Sequence, residues 1–187
     1  MTAAPRPRMT ADAFIAWAMT QPEGERYELV AGEVVAMSPE RARHNEGKLA
    51  VAVAFRDSIR RHGVSCWTYI DGMAVRVDDD TVYEPDVLVR CGERLDPDAV
   101  EVTDPVVLVE VVSPSTSKID THQKLADYFR IPSLRHYLIV NVKRRSVVHH
   151  ERADDSEVRT RILTSGALEL RPLGLVLDVA ALLPEPG

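Results

Sequence analysis

Cysteine is scarce in this sequence, and its two members, Cys66 and Cys91, have neither metal-like spacing nor further cysteines to join. That excludes a zinc ribbon or a disulfide scaffold; the default expectation is a pair of reduced thiols in a cytosolic protein, with a disulfide between them left open. Long apolar runs are missing as well. No stretch approaches the ~20 apolar residues of a membrane span. Residues 1–9 carry Arg6 and Arg8 but lack the apolar run of a signal peptide. These absences predict a soluble, cytoplasmic protein with no membrane partner. Positive charge is not in excess either: a formal net charge of -6 argues against coating nucleic acid by bulk charge, while leaving a locally basic groove open. There is no glycine-rich phosphate loop and no serine elbow. Neither a repeat nor a linker divides the chain, so its 187 residues predict a single domain over residues 1–187.

What is present centres on residues 104–128. From Val106 to Val112 every side chain but one is branched and apolar, the pattern of a central strand covered on both faces. The exception is Glu110. A carboxylate left charged and alone there would cost several kcal/mol, so it must be paired, metal-bound or neutral. Glu110 is therefore either a site residue or part of a structural ion pair. Ser113, Pro114, Ser115 and Thr116 then end the strand and open toward a helix, where strand-end chemistry is usually assembled.

Around that strand the chain reads as alternating elements. Thr10 caps a short helix over 11–19, with Phe14, Trp17 and Ala18 on one face. Strand-like runs 27–30 and 33–37 flank Ala31-Gly32 as a hairpin that contains Glu28 and Glu33. A long helix over 41–62 shows Leu49, Ala50, Val53 and Ala54 as its apolar stripe and Gly63 as its stop. Runs 64–70 and 73–77 around Asp71-Gly72 predict a second hairpin. Residues 81–90 predict a further strand, with Pro85 near its start or on an unpaired edge and Asp86 pointing where Leu88 points. A second helix over 120–130 turns Leu125, Tyr128 and Phe129 toward the sheet. Lys124 lies ~40° from Tyr128, on the border of that stripe. A strand over 135–142 completes a parallel strand-helix-strand unit. Outer strands are expected over 147–151, 158–163 and 175–179.

Asp86 and Glu110 on adjacent strand ends, with a backbone carbonyl such as that of Val111, would make the oxygen-rich site that magnesium or manganese prefers. Lys124 would then supply positive charge to orient a water or steady a developing phosphorane. The plainer alternative has Asp86 capping a turn, Lys124 paired with Asp120 or Asp127, and Glu110 paired with an arginine. His149 and His150, adjacent on a strand, point to opposite faces and read as structural. Arg56, Arg60 and Arg61, and residues 143–145, could contact phosphates or simply be solvated.

Several of these segments together resemble a known family. Tyr27-Glu-Leu-Val-Ala-Gly-Glu33, Ser38-Pro39 followed by His44, Glu84-Pro-Asp86-Val-Leu-Val, Val109-Glu-Val-Val-Ser-Pro-Ser-Thr116, then Asp120, Lys124, Tyr128 and Arg135-His-Tyr137 resemble the Uma family of restriction-endonuclease-like proteins, a branch of the PD-(D/E)XK nucleases. The likeness runs in order from about Met9 to Val179. It implies an α/β fold in which a mixed sheet is flanked by helices, with an N-terminal hairpin and additional outer strands. It also implies Asp86 and Glu110 as Mg²⁺ ligands, with Mn²⁺ as a substitute, Lys124 as the catalytic lysine, and Glu33 and His44 as further site residues. The usual superfamily pattern has its lysine two residues after the acid, where this chain has Val112. The function so implied is an endonuclease that hydrolyses phosphodiester bonds in nucleic acid, with DNA as the expected partner. A homodimer is open, since a duplex has two strands to cut. The alternatives are a non-catalytic module of the same fold that binds nucleic acid or a protein, and a metal-dependent hydrolase with another substrate.

Overall fold

The computed structural model describes residues 8–112, 118–154 and 156–184. The chain opens with α1 (Ala11–Ala18), β1 (Tyr27–Val30), β2 (Glu33–Ala36) and α2 (Ala42–His62). It continues through β3 (Cys66–Ile70), β4 (Ala74–Asp78), β5 (Thr81–Tyr83), β6 (Val87–Cys91), β7 (Glu101–Val102) and β8 (Val107–Val112). Then come α3 (Lys118–Tyr128), β9 (His136–Asn141), β10 (Ser146–Arg152), β11 (Val158–Leu163), β12 (Ala167–Leu170), β13 (Leu175–Asp178) and a 3₁₀ turn at Val179–Leu182. Among the described residues the strands form a six-stranded sheet in the order β11-β10-β9-β8-β6-β3, a five-stranded sheet in the order β2-β1-β5-β4-β7, and the pair β12-β13.

β8 is central, antiparallel to β6 and parallel to β9, with α3 crossing between β8 and β9. Its alternate side chains go to two separate cores. Val107, Val109 and Val111 pack with Val87 and Val89 of β6 and with Val51, Ala52 and Phe55 of α2. Leu108 packs on the opposite side with Leu88, Tyr128 and Tyr137 and with Val75 and Tyr83 of the five-stranded sheet. Burial on both faces is why the strand is apolar at consecutive positions rather than alternate ones. Each such side chain is worth ~1.5–3 kcal/mol relative to exposure.

The first elements form as their sequence requires. Thr10 caps α1 by accepting from the Ala13 amide at 3.3 Å. Ala31 and Gly32, at φ 48° and 80°, turn β1 into β2, and Gly63, at φ 62°, ends α2. The expected turn at 113–116 lies outside the described residues.

Four expectations are corrected. Asp71 and Gly72 do adopt positive φ, yet no hairpin follows, because β3 is paired along its length with β6 while β4 pairs with β5 and β7. The dipeptide fixes the local bend, and long-range pairing decides which strands meet. The strand expected over 81–90 breaks at Pro85, which has no N–H for a ladder; its two halves, β5 and β6, belong to different sheets. The apolar stripe of α2 is also rotated. Leu49 and Val53 are exposed, whereas Gly47, Lys48, Val51, Ala52, Phe55 and Ser58 are buried. Finally, Cys66 and Cys91 stand opposite one another on β3 and β6 and form a disulfide, in place of the default reduced thiols. No described helix is long and apolar enough to cross a membrane.

Candidate active site

The break at Glu84-Pro85-Asp86 is where the chain leaves the five-stranded sheet for the six-stranded one, and the ionisable side chains gather there. β1 brings Glu28, the break brings Asp86, β8 brings Glu110, α2 brings His44 and Lys48, and α3 brings Lys124 and Tyr128. Glu28 keeps the break in place, because its Oε1 accepts the Glu84 amide at 3.0 Å, an N–H that has left the ladder.

On the α3 side, the Lys124 ammonium is buried and donates to Glu28 Oε1 at 2.8 Å and to Glu110 Oε1 at 3.0 Å. Tyr128 donates its hydroxyl to the same Glu110 oxygen at 2.8 Å. Lys124 Nζ also lies 5.0 Å from the centre of the Tyr83 ring, and the Tyr83 hydroxyl donates to Asp127 Oδ2 at 2.6 Å. These contacts fix the ammonium from several directions. Burial alone would lower its pKa, but the carboxylates of Glu110 and Glu28 overturn that and hold it above the ordinary lysine value. Glu110 is pushed up to about 7, first by burial and then by the negative charges of Asp86 and Glu28, against the opposing pull of Lys124. The Tyr128 hydroxyl is raised by burial and by Glu110, so it stays a donor.

On the α2 side, Asp86 is oriented by the Val111 amide, which donates to Oδ2 at 2.6 Å. Its other oxygen lies 3.1 Å from His44 Nε2 and 3.7 Å from Lys48 Nζ. The hydrogen bond to Asp86 raises the His44 pKa, with burial opposing it. Lys48, nearly inaccessible, contacts Glu40 and reaches both Asp71 carboxylate oxygens at 2.8 Å. Among the described residues Glu40, His44 and Asp86 each offer a ligand atom, all within 4.8 Å of one another.

Asp86, Glu110, Lys124 and His44, all expected at the site, are thus brought to the β6–β8 seam. Asp86 serves the α2 side of the seam and not the side taken by Leu88, because strand alternation starts only after the break. Val111 contributes its amide to Asp86. Glu33 is not brought in: it is exposed on β2 opposite Val30, and the hairpin acid that reaches the site is Glu28. Alternation places Glu28 and Glu33 in different settings, and only Glu28 sits in a strand packed on both sides. Lys48 and Asp71 were also missed. His44 and Lys48, four residues apart, share a helix face, which was the available signal for Lys48.

Burial is the first cause of the raised Glu110 pKa, and the negative charges of Asp86 and Glu28 add to it. A divalent cation would offset those charges, and Glu40, His44 and Asp86 lie close enough together to offer it ligand atoms.

Comparison with known proteins gives a family and a fold. The model of the Uma2 family, described as "Putative restriction endonuclease", matches residues 11–180. Two proteins of Synechocystis sp. (strain ATCC 27184 / PCC 6803 / Kazusa) are similar. The uncharacterized slr1290 is 26% identical over 178 residues, 94% of this chain and 92% of that protein. The uncharacterized sll1609 is 25% identical over 138 residues, 71% of this chain and 76% of that protein. The crystal structure of a "putative nuclease belonging to DUF820" from Anabaena variabilis ATCC 29413 superposes with a TM-score of 0.72 at 12% identity, covering 93% of this chain and 97% of that one. That likeness is one of fold.

Proposed function

Because the chain belongs to the Uma2 family, we propose that it is a Mg²⁺-dependent endonuclease that hydrolyses phosphodiester bonds in DNA. The observation that carries the reading is the buried Lys124 ammonium held between Glu28 and Glu110, beside Asp86 on the neighbouring strand end. Asp86 and Glu110 would hold the cation, with His44 and Glu40 bordering it. When bound, the cation acts as a Lewis acid on a phosphate oxygen and lowers the pKa of its water. Lys124 remains an ammonium across the working pH range, so its part is electrostatic: it faces the negative charge that builds on the phosphoryl oxygens and does not take a proton. Glu28 positions that ammonium, and Tyr128 fixes the Glu110 carboxylate by donating to it. His44 and the Val111 amide hold Asp86. The water oxygen bonds to phosphorus as the opposite phosphorus–oxygen bond breaks; the water loses a proton to solvent and the leaving oxygen takes one up, so one new end carries a phosphate and the other a hydroxyl.

Incubating purified protein with plasmid DNA and Mg²⁺ or Mn²⁺ should give nicking that Asp86→Ala and Lys124→Ala each abolish; cleavage that survives both changes overturns the assignment. A non-catalytic module is the second reading, favoured by Val112 standing where the superfamily pattern has its lysine. Calorimetry separates the two: a competent site binds Mg²⁺ and loses it in Glu110→Gln, while a module shows no metal dependence.

A further inference from the structure

The rotated face of α2 leaves a groove of about 580 Å³ between that helix and β3. Its walls are Leu49, Val53, Arg56 and Arg60 from α2 and Trp67 and Ile70 from β3. Four of these are large apolar side chains that solvent reaches, at 60% for Leu49, 46% for Val53, 38% for Trp67 and 52% for Ile70. β3 is an edge of the six-stranded sheet, with β6 as its neighbour. Arg94 lies over the Trp67 ring at 5.2 Å, and the indole N–H donates to the Gly92 carbonyl at 3.1 Å, so the ring is pinned in place. Asp57 also lines the groove and pairs with Arg60 at 3.0 Å, leaving Arg56 and Arg94 as the excess positive charge of the walls. The site residues do not line the groove, but its lining residues Leu49 and Ile70 adjoin in the chain Lys48 and Asp71, which pair at 2.8 Å beside Asp86.

We propose that this groove is a track for a single strand of nucleic acid that leads toward the Asp86–Glu110 site, a proposal that rests on the nuclease reading above. Guanidinium groups alternating with a fixed aromatic and apolar walls match the needs of a single strand, whose phosphates want cations and whose bases want flat apolar partners. A duplex keeps its bases inside its own stack and would set only sugar and phosphate against Leu49, Val53 and Ile70. A second copy of this chain is disfavoured by symmetry. A two-fold contact through this patch would gather Arg56, Arg60 and Arg94 of both copies in one interface, offset there only by the two Asp57 carboxylates. From Leu49 to Arg60 the helix rises ~16 Å, enough for about four or five stacked nucleotide steps.

The test uses the full chain in EDTA, where nothing is cut, and a fluorescein-labelled oligothymidylate of roughly ten nucleotides, long enough to span the groove. Anisotropy should show binding that Trp67→Ala weakens about five- to a hundredfold and that Trp67→Phe largely retains. Arg56→Gln should flatten the dependence of log Kd on log salt by about 0.7, a change that a merely structural role would not produce. A blunt duplex of equal length should compete poorly. Groove variants that bind as tightly as the parent with the same salt slope, while the parent still nicks DNA with Mg²⁺, overturn the track and leave the nuclease standing. A dimer in sedimentation that Val53→Glu dissociates overturns it in favour of an interface between copies. A parent chain that neither binds nor cuts DNA or RNA removes the nuclease reading and the track with it.

Discussion

Glu28 Oε1 accepts a hydrogen bond from Lys124 Nζ at 2.8 Å although 96 residues separate the two in the chain. The same oxygen accepts the Glu84 amide, so one side chain ties α3, β1 and the break before Asp86 together. Glu28→Gln should therefore lower kcat about 10- to 100-fold with little change in KM, because a misaimed ammonium affects the transition state more than binding. Glu33→Gln, on the exposed strand beside it, should leave both constants unchanged. Steady-state cleavage of a labelled oligonucleotide reads the contrast. Equal losses in the two variants would mean that the hairpin acids act in another way.

Glu110 makes the site costly to hold without metal. Its pKa in the folded chain, about 7, exceeds the ordinary carboxyl value of 4.5. Between those values the native state keeps a proton that the unfolded chain has released, so stability falls as pH rises from roughly 4.5 to 7. Glu110→Gln removes that cost while retaining a hydrogen-bond acceptor for Tyr128. In EDTA at pH 8 the variant should unfold at higher urea than the parent, and at pH 4 the advantage should vanish. An advantage that is the same at both pH values would show that ionisation of Glu110 is not its source.

The same proton competes with metal. If ionised Glu110 holds the cation, cleavage should rise with pH through the region near 7 when Mg²⁺ is limiting, and the midpoint should move to lower pH as Mg²⁺ is increased. Rate profiles at two Mg²⁺ concentrations decide it. Superimposable midpoints would remove Glu110 from the metal's ligands.

How much of this was legible in the sequence depended on whether a residue's role was local or set by distant pairing. Glu110 stood out because an acid inside a doubly buried strand needs a partner wherever the strand sits, and helical spacing alone placed Lys124 near Tyr128. Thr10, the Ala31-Gly32 turn and Gly63 were equally local. The α2 face was misread because Leu49 and Val53 are apolar yet exposed, while Lys48 is charged yet buried against Glu40 and Asp71. The Cys66–Cys91 bond, left open beside the default of reduced thiols, and the divergence of β3 from β4 both follow from the pairing of β3 with β6, which no local pattern encodes. Glu28 and Glu33 were distinguishable only once β1 was known to lie between β2 and β5.

Away from the site, His136 and His149 form a buried pair, Nδ1 to Nε2 at 3.0 Å. Burial lowers both, His136 to about 4 and His149 to about 3. Here the sign is reversed: below about pH 6.5 the unfolded chain takes up protons that the native pair refuses, so stability falls as pH drops toward 4 and then 3. Replacing both with glutamine should raise the urea midpoint relative to the parent increasingly as pH is lowered from 6.5 to 4.5; the parent's own curve also carries the opposite contribution of Glu110, so the difference is the readout. A difference that stays constant across that window would show that the pair does not resist protonation.

Gly47 tests the seating of α2 over β8. A Cβ added there would lie 2.9 Å from Val111 Cγ1 of β8 and 2.9 Å from Val142 Cγ2, just past the end of β9. Glycine in a helix interior costs ~1 kcal/mol relative to alanine, so on propensity alone Gly47→Ala would stabilise the protein. Overpacking of ~1–3 kcal/mol opposes that gain, and because the obstructing atoms belong to β8 and to the turn that follows β9, the helix must lift. Lifting moves His44 and Lys48 away from Asp86, so cleavage should fall together with the urea midpoint. Leu49→Ala, two residues on and exposed, should leave the midpoint nearly unchanged. A Gly47→Ala protein as stable and as active as its parent would mean that α2 does not rest on Val111, and that the α2 half of the site is held by other means.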